Sequence, residues 1–337
     1  MIKGRIRPTL HDVARLAGVG TTTVSRVING GEHVAPDMLA RIQKVMSDLG
    51  YQPNQAARSL KNARSKTIGL IIPSIVDPFF AHFASVTELA AREQDYVILL
   101  LTSEDRAERE IVDLEIFERH RVDGLLIVPP RAGSKGLADQ LKQLSVPVVA
   151  VDRPLSGQSY SRVLCDNFRA AQIAMNHILE HGRRRILVLG GDPRLYTIQQ
   201  RVAGCESVIA AAGLDSMIAM GAADYETAEA FILKHMKQKG SIDAIFGLYN
   251  QSTIRAYEVL QNHGISVPQQ MSLIGFDDFA LASTLRPSIT VVNQSVAEMA
   301  TTATRLLLNH INGETTSAQH IEIAANLIVR QSCGCPH

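Results

Sequence analysis

Four cysteines in 337 residues are too few for a disulfide framework, and the composition reads as that of a reduced, cytoplasmic protein. No apolar run approaches the roughly 20 residues that cross a bilayer. The stretch Met1 to Pro8 is basic but lacks the apolar core of a secretory signal, so no membrane partner is expected. There is no Walker loop, no GxGxxG after a strand, no HExxH and no GxSxG, so the chain offers no catalytic residues and no cofactor site by motif. Its eleven histidines are scattered, none at metal-ligand spacing beside a cysteine. Cys333-Gly334-Cys335 is the one metal-like pair. It lies in the terminal tail without a partner motif and reads as a disordered or oxidation-prone end, so no metal is expected.

What is present is unevenly distributed. The formal net charge is only +1, yet residues 1–66 hold eleven Lys/Arg against four Asp/Glu, leaving the rest of the chain net acidic. A basic head on a mildly acidic body suits a nucleic-acid-binding module joined to a non-binding domain. The head contains TLHDVARLAGVGTTTVSRVIN (9–29). Leu10, Val13, Ala14 and Ala17 mark one face of a short helix that Thr9 can cap. Gly18-Val19-Gly20 breaks it, with Gly18 free to take the positive φ of a tight corner. A second helix restarts at Thr21 or Thr22, with Val24, Val27 and Ile28 inward. Thr21, Thr22, Ser25, Arg26 and Asn29 then face outward with no carboxylate among them, a surface suited to a major groove. The bland alternative is an ordinary helical hairpin with a solvated face.

A third amphipathic helix follows Val34-Ala35-Pro36, with Leu39, Ile42, Met46 and Leu49 inward and Gly50 closing it. Three helices in so short a span give a small core and a marginal head. In PNQAARSLKNARSKT, Asn54 can cap one or two turns through Leu60. The segment is either a basic linker or a hinge that folds only on DNA, where Ala57 allows close approach and Leu60 wedges between base pairs.

From Ile68 onward, short apolar runs alternate with helical patterns: IGLIIP, YVILLL, GLLIVPP and PVVAVD, then RVLCD, RILVLGG, AIFGLY and SLIGFDD. Such runs indicate strands of parallel sheets covered on both faces, and eight of them exceed one open sheet, so two α/β lobes are expected. Residues 131–145 and 213–224 read as surface helices and loops. Ligands of open α/β sheets sit beyond the carboxyl ends of the strands. There stand Ser74, Asp77, Phe79 and Phe80; then Asp152 and Arg153; then Asn250; and Asp277 with Asp278. Arg201 opens a helix after a Gly-rich turn. Acids, an amide, an Arg and aromatic rings together suit a polyhydroxylated ligand. Singly, the acids and Asn250 could be helix caps and Phe80 plain core. Asp277 and Asp278 point differently as chain neighbours, one as a cap and one as a ligand acceptor.

The stretches TLHDVARLAGVGTTTVSRVIN, LGYQPNQAARSLK and SKTIGLIIPSIVDPFF, followed in order by VDGLLIVPP, VPVVAVDRP, VLCDN, RRRILVLGG, RVAG, VPQQMSLIGFDD and LIVRQS, resemble the lactose-repressor (LacI/GalR) family of transcription regulators over nearly the whole chain. The resemblance implies a helix-turn-helix head (1–52), a hinge (53–66) and an effector core of two periplasmic-binding-protein-like lobes (67–161 with 293–320, and 162–292 with 321–334). It implies DNA contacts at Thr9, Thr21, Thr22, Thr23, Ser25, Arg26, Asn29, Asn54, Ala57 and Leu60, with bases read by Thr21, Thr22 and Arg26 and the minor groove wedged by Leu60. It implies effector contacts at Asp77, Phe79, Phe80, Asp152, Arg201, Asn250 and Asp277. Gly20 and Gln251 depart from the family pattern, where Ser and Asp are commoner. The implied partners are pseudo-palindromic operator DNA at the nucleoid, a small effector, and a second copy of the chain, since one small head contacts too few phosphates for specific binding. With no leucine heptads after Ser332, a dimer is expected. A sugar or sugar derivative suits the carboxylates; a nucleobase stacked on Phe79 is the alternative effector. An enzyme or sugar-binding module carrying a helical head is the alternative class.

Overall fold

The computed structural model describes residues 8–28, 34–52, 64–130, 137–155, 159–237 and 241–335. The chain divides into two compact units, Met1–Ser65 and Lys66–His337. In the first, α1 (Leu10–Ala17) begins in a reciprocal cap: the Thr9 hydroxyl accepts from Asp12 N, and the Asp12 carboxylate accepts from Thr9 N at 2.9 Å. These bonds, led by the Thr9 hydroxyl, hold the Asp12 carboxyl down at about 2. Gly18 ends the helix with φ 65°, a conformation that costs a residue with a Cβ. Then come α2 (Thr21–Ile28) and α3 (Pro36–Leu49). Val13, Ala14, Ala17, Val24 and Ile42 are buried at the centre of the three helices. The stripe of α3 differs slightly from the expected one. Met38 and Val45 pack on this core with Met46 and Leu49, whereas Leu39 stays outside it. Met38 and Val45, seven residues apart, lie on one flank of the expected stripe and Leu39 on the other, so the buried face of α3 is rotated by about one position toward Met38.

The second unit contains two six-stranded sheets, each flanked by helices. The first has the order β11-β5-β4-β3-β1-β2, all parallel: β1 (Thr67–Ile72), β2 (Val97–Thr102), β3 (Gly124–Ile127), β4 (Val148–Val151), β5 (Ser161–Cys165) and β11 (His320–Ile323). It carries α4 (Pro78–Arg92), α5 (Ala107–His120), α6 (Leu137–Gln143) and α11 (Val296–Asn312). The second has the order β12-β10-β9-β8-β6-β7, with β6 (Ile186–Gly190), β7 (Met217–Met220), β8 (Ala244–Gly247), β9 (Ser272–Phe276), β10 (Thr290–Gln294) and β12 (Ala325–Ile328). Only β12 runs antiparallel. Its helices are α7 (Asn167–Glu180), α8 (Tyr196–Ala211), α9 (Tyr225–Met236) and α10 (Asn250–Asn262).

Sheet membership moves the lobe boundaries. β5 belongs to the first sheet, so RVLCD is the fifth strand of the first lobe, and the chain crosses after Cys165 instead of at 161/162. It returns between β10 and α11, after Gln294 instead of at 292/293, and leaves again between β11 and β12, after Ile323 instead of at 320/321. A strand pattern shows that a segment pairs, but not with which sheet. β7, within the stretch read as helices and loops, is an edge strand whose exposed side blurs its pattern. The tail also differs from expectation. Ser332 and Cys333 are buried, with the Ser332 hydroxyl donating to Leu273 O at 2.5 Å and Ser272 Oγ donating to Cys333 O at 3.1 Å. The chain end is thus part of the second lobe through Cys335, not a loose appendage.

Candidate functional site

In the head, Arg26 and Thr22 are exposed, while Thr21, Thr23 and Ser25 are half-buried along the same helix. Gly20 O accepts from Thr23 N and Val24 N at 3.0 and 3.2 Å, so a residue without a side chain stands at the start of α2. The first turn of α2 carries no acid. The positive end of its dipole is left uncovered, which favours an anion such as a phosphate. Thr9 is tied up as a cap. Asn29, Asn54, Ala57 and Leu60 lie outside the described residues.

In the body, all seven expected effector residues line one cavity of ≈ 340 Å³ at the carboxyl ends of the strands of both sheets. Small-ligand sites are typically about 300–1,000 Å³. From the first lobe, Asp77 caps α4 by accepting from Phe79 N at 3.0 Å, and the same oxygen accepts from Asn250 Nδ2 at 3.2 Å, a bond between the lobes. Phe79 meets Phe80 edge-on at 5.0 Å. Phe80 is 7% exposed and packs into the hydrophobic core while also lining the cavity.

Asp152, at the end of β4, has φ 64° and is buried. Burial pushes its carboxyl up to about 6 against the pull of Arg153 and Arg201. Arg153 is itself buried: it pairs with Asp105, donates to Pro129 O at 3.2 Å, and holds its Nε 3.4 Å from Asp152 Oδ2. Behind this pair Glu110 is fully buried, and burial, reinforced by Asp105, pushes its carboxyl up to about 9.

From the second lobe, Arg201 is held rigidly. Nε donates to Asn167 Oδ1 and Nη1 to Leu248 O, both at 2.7 Å, and the guanidinium lies over the Phe276 ring. It sits more than a turn inside α8 instead of opening it. The glycine of RVAG explains how it gets there. A Cβ on Gly204 would lie 2.3 Å from Phe168 O, so only glycine lets α8 approach α7 closely enough for Arg201 to reach Asn167. Asp277, with φ 68°, accepts from Gln294 Nε2 at 2.6 Å and lies 3.9 Å from Arg201 Nη1; burial raises its pKa above the ordinary carboxylate value, and Arg201 opposes this. Two left-handed aspartates facing one cavity fit the tendency of backbone strain to gather at functional sites. Asp278 caps nothing here; Arg330 grips both its oxygens, at 2.8 and 2.9 Å.

The sequence reading missed Asp105, Asp192, Tyr249 and Gln294 on the cavity wall, and noted Arg153 without choosing it. Asp105 follows the end of β2 and was reachable by the strand-end rule. Gln294 ends β10, which carries too short an apolar run to stand out. Burial drives the Tyr249 phenol up to about 12, so it faces the cavity as a neutral hydroxyl. Gln294 Oε1 is buried without a hydrogen-bond partner among the described residues.

The cavity is therefore a fixed array of acids, two guanidiniums, two amides and an aromatic edge, assembled from the two lobes of the second unit. Comparison with known proteins finds the same assembly. Residues 9–54 match the model of the bacterial regulatory proteins of the lacI family, and residues 175–333 match a periplasmic binding protein-like domain. The chain is 31% identical over 338 residues to the HTH-type transcriptional regulator CelR of Thermobifida fusca, covering 97% of this chain and 99% of that one. It resembles the solved complex of the transcriptional regulator CelR with cellobiose with a TM-score of 0.72 at 30% identity, over 97% of this chain and 100% of the other. The lac repressor dimer bound to operator and an anti-inducer shares the fold, with a TM-score of 0.88 at 21% identity over 97% and 99% of the two chains. With its helix-turn-helix head, its two-lobed core and this similarity along nearly its full length, the chain belongs to the lacI family of bacterial transcriptional regulators.

Proposed function

We propose that the protein is a sugar-responsive repressor that binds a pseudo-palindromic operator as a homodimer and takes its effector in the cleft between the lobes. The observation that carries this reading is the composition of the cavity. Asp77, Asp152, Asp277 and Asn250 present oxygens and an amide in fixed directions, Arg201 can bridge two ligand oxygens, and Phe79 offers an aromatic ring to an apolar sugar face. The relative solved with cellobiose supports the same ligand class. The cleft binds without turning its ligand over: Asp278, the neighbour that could make an acid pair with Asp277, is neutralised by Arg330.

Each head presents Thr21, Thr22, Thr23, Ser25 and Arg26 to a major groove, and the 53–66 segment acts as the hinge in the minor groove. The Asn250–Asp77 bond is one of the links between the lobes. A ligand that adds bridges between the lobes favours the closed arrangement only by its difference in affinity for the two states, and DNA feels that difference reciprocally. No helix among the described residues is long and apolar enough to cross a membrane, and the protein acts at the nucleoid.

The test is a thermal-unfolding screen of the full chain against pentoses, hexoses, disaccharides, sugar acids and nucleobases, followed by an operator titration with any hit. A ligand at one hundred times its Kd stabilises the body by about 2.7 kcal/mol. Arg201→Ala is expected to abolish that shift while leaving operator binding intact. A shift with nucleobases alone would replace the sugar reading, and ligand binding unchanged in Arg201→Ala would remove Arg201 from the pocket.

A further inference from the structure

Far along the chain from any cavity residue, the last turn of the molecule meets a helix. His177 lies in the last turn of α7 and His181, four residues on, caps the helix C-terminus, with the two ring centroids 4.7 Å apart. The C-terminal tail is anchored beside them. Leu273 N donates to Ser332 O, Ser332 N to Ser288 O, and Thr290 N to Ser332 Oγ, each at 2.9 Å. Gly334, with φ 97°, then turns the chain so that both cysteines face the histidines. Cys335 Sγ lies 3.0 Å from His181 Nε2 and 3.6 Å from His177 Nε2. The ligand atoms of His177, His181, Cys333 and Cys335 all fall within 4.8 Å of one another.

We propose that these four side chains form a binding site for one zinc-class divalent cation. With Zn–S and Zn–N bonds of about 2.3 and 2.0–2.1 Å, tetrahedral ligand atoms stand roughly 3.3–3.8 Å apart. Of the two sulfur–nitrogen distances, 3.6 Å lies within that range and 3.0 Å just below it, and side-chain rotation of a fraction of an ångström per ligand closes the widest pair. The donor set itself selects the ion. Two sulfurs and two imidazole nitrogens exclude the oxygen-seeking Mg²⁺ and Ca²⁺ and favour zinc-like cations. Two thiolates and two neutral imidazoles cancel the charge of a divalent ion, so the loaded site carries no net charge into a partly buried setting. Cys333 is 2% exposed and the other three are half-buried. Four protein ligands leave no open position, which marks a structural site. Its effect is to staple the end of the chain to the C-terminal half of α7, the helix whose first residue, Asn167, holds Arg201 in the cleft. The tail that the sequence presented as loose becomes, on this reading, a clamp on the lobe that carries the effector-binding arginine.

Cobalt(II) is the probe. The full-length protein, reduced with a phosphine and stripped with a chelator, is titrated with Co²⁺ and then with Zn²⁺. The expected result is one equivalent of Co²⁺ per chain, with the visible bands of tetrahedral cobalt and a near-ultraviolet thiolate charge-transfer band, all displaced by Zn²⁺. Cys335→Ser removes a half-buried ligand, so the fold should survive. It should lose about half of the charge-transfer intensity and weaken binding by at least the roughly 10–100-fold that even an outer hydrogen-bond partner is worth; His181→Ala should weaken it similarly while keeping the thiolate band. Circular dichroism of both variants confirms folding. Absence of the tetrahedral bands in the reduced wild type would overturn the site, as would spectra and affinity unchanged in Cys335→Ser.

Discussion

The head and the body of this regulator bury their cores in contrasting ways. In the head, Val13, Ala14, Ala17, Val24 and Ile42 come from three consecutive helices, and each helix contributes a stripe that its own periodicity declares. In the body, Ile68 on β1 shares a core with Val163 on β5, Leu307 on α11 and Ile323 on β11, residues brought together by a chain that crosses between lobes three times. The head is thus assembled locally and holds little in reserve. The body is assembled from distant segments and holds a polar site that no single segment contains. The lesson is that the two functions of the chain tolerate damage differently: the DNA-reading surface depends on a very small core, and the effector site depends on crossovers and close helix contacts.

Ile42→Ala sharpens that contrast most. Removing a fully buried side chain costs about 2–5 kcal/mol, most of what so small a core supplies. Calorimetry should show the head transition lost or strongly lowered and the body transition unmoved; equal shifts in both would mean that the two units unfold together.

The body's counterpart is Glu110. Its folded pKa of about 9 lies above the ordinary 4.5, so the stability it contributes is fully present below about pH 4.5 and is lost as pH rises through 9. The slope is about 1.4 kcal/mol per pH unit between those limits. Glu110→Gln should flatten the fall in body stability from pH 5 to 9 while the head transition keeps its own pH profile; an unchanged slope would place Glu110 as a charged group in the native state.

Arg26→Ala tests the surface of the head without touching its core. If Arg26 reads a base, the operator should lose about 1–3 kcal/mol of affinity and specificity at one position should relax; equal losses on operator and random DNA would make it a phosphate contact. The smallest effect is expected for Thr9→Ala, which removes the cap of α1 at a cost of about 1 kcal/mol. Amide exchange should quicken in α1 first, and the Asp12 carboxyl, held at about 2 chiefly by the Thr9 hydroxyl, should rise toward its ordinary value.

Thr9, Gly18 and Gly50 were legible from the sequence because caps and corners are chosen by the backbone within a few residues. The strand-end acids Asp77, Asp152 and Asp277 were legible for a related reason: parallel α/β sheets gather ligands at one edge, so position on a strand predicts position in space. That the chain makes a helical head and two α/β lobes was therefore determined by local periodicity, charge and turn chemistry. Only the tertiary structure decided which lobe β5 and β11 join, that Asp105 pairs with Arg153, that Gly204 brings Arg201 against Asn167, and that Cys333 and Cys335 return to His177 and His181. Each of these joins residues far apart in the chain. Their meeting is set by sheet pairing and helix packing, where the free energy of burying two surfaces together selects a partner that neither segment names on its own.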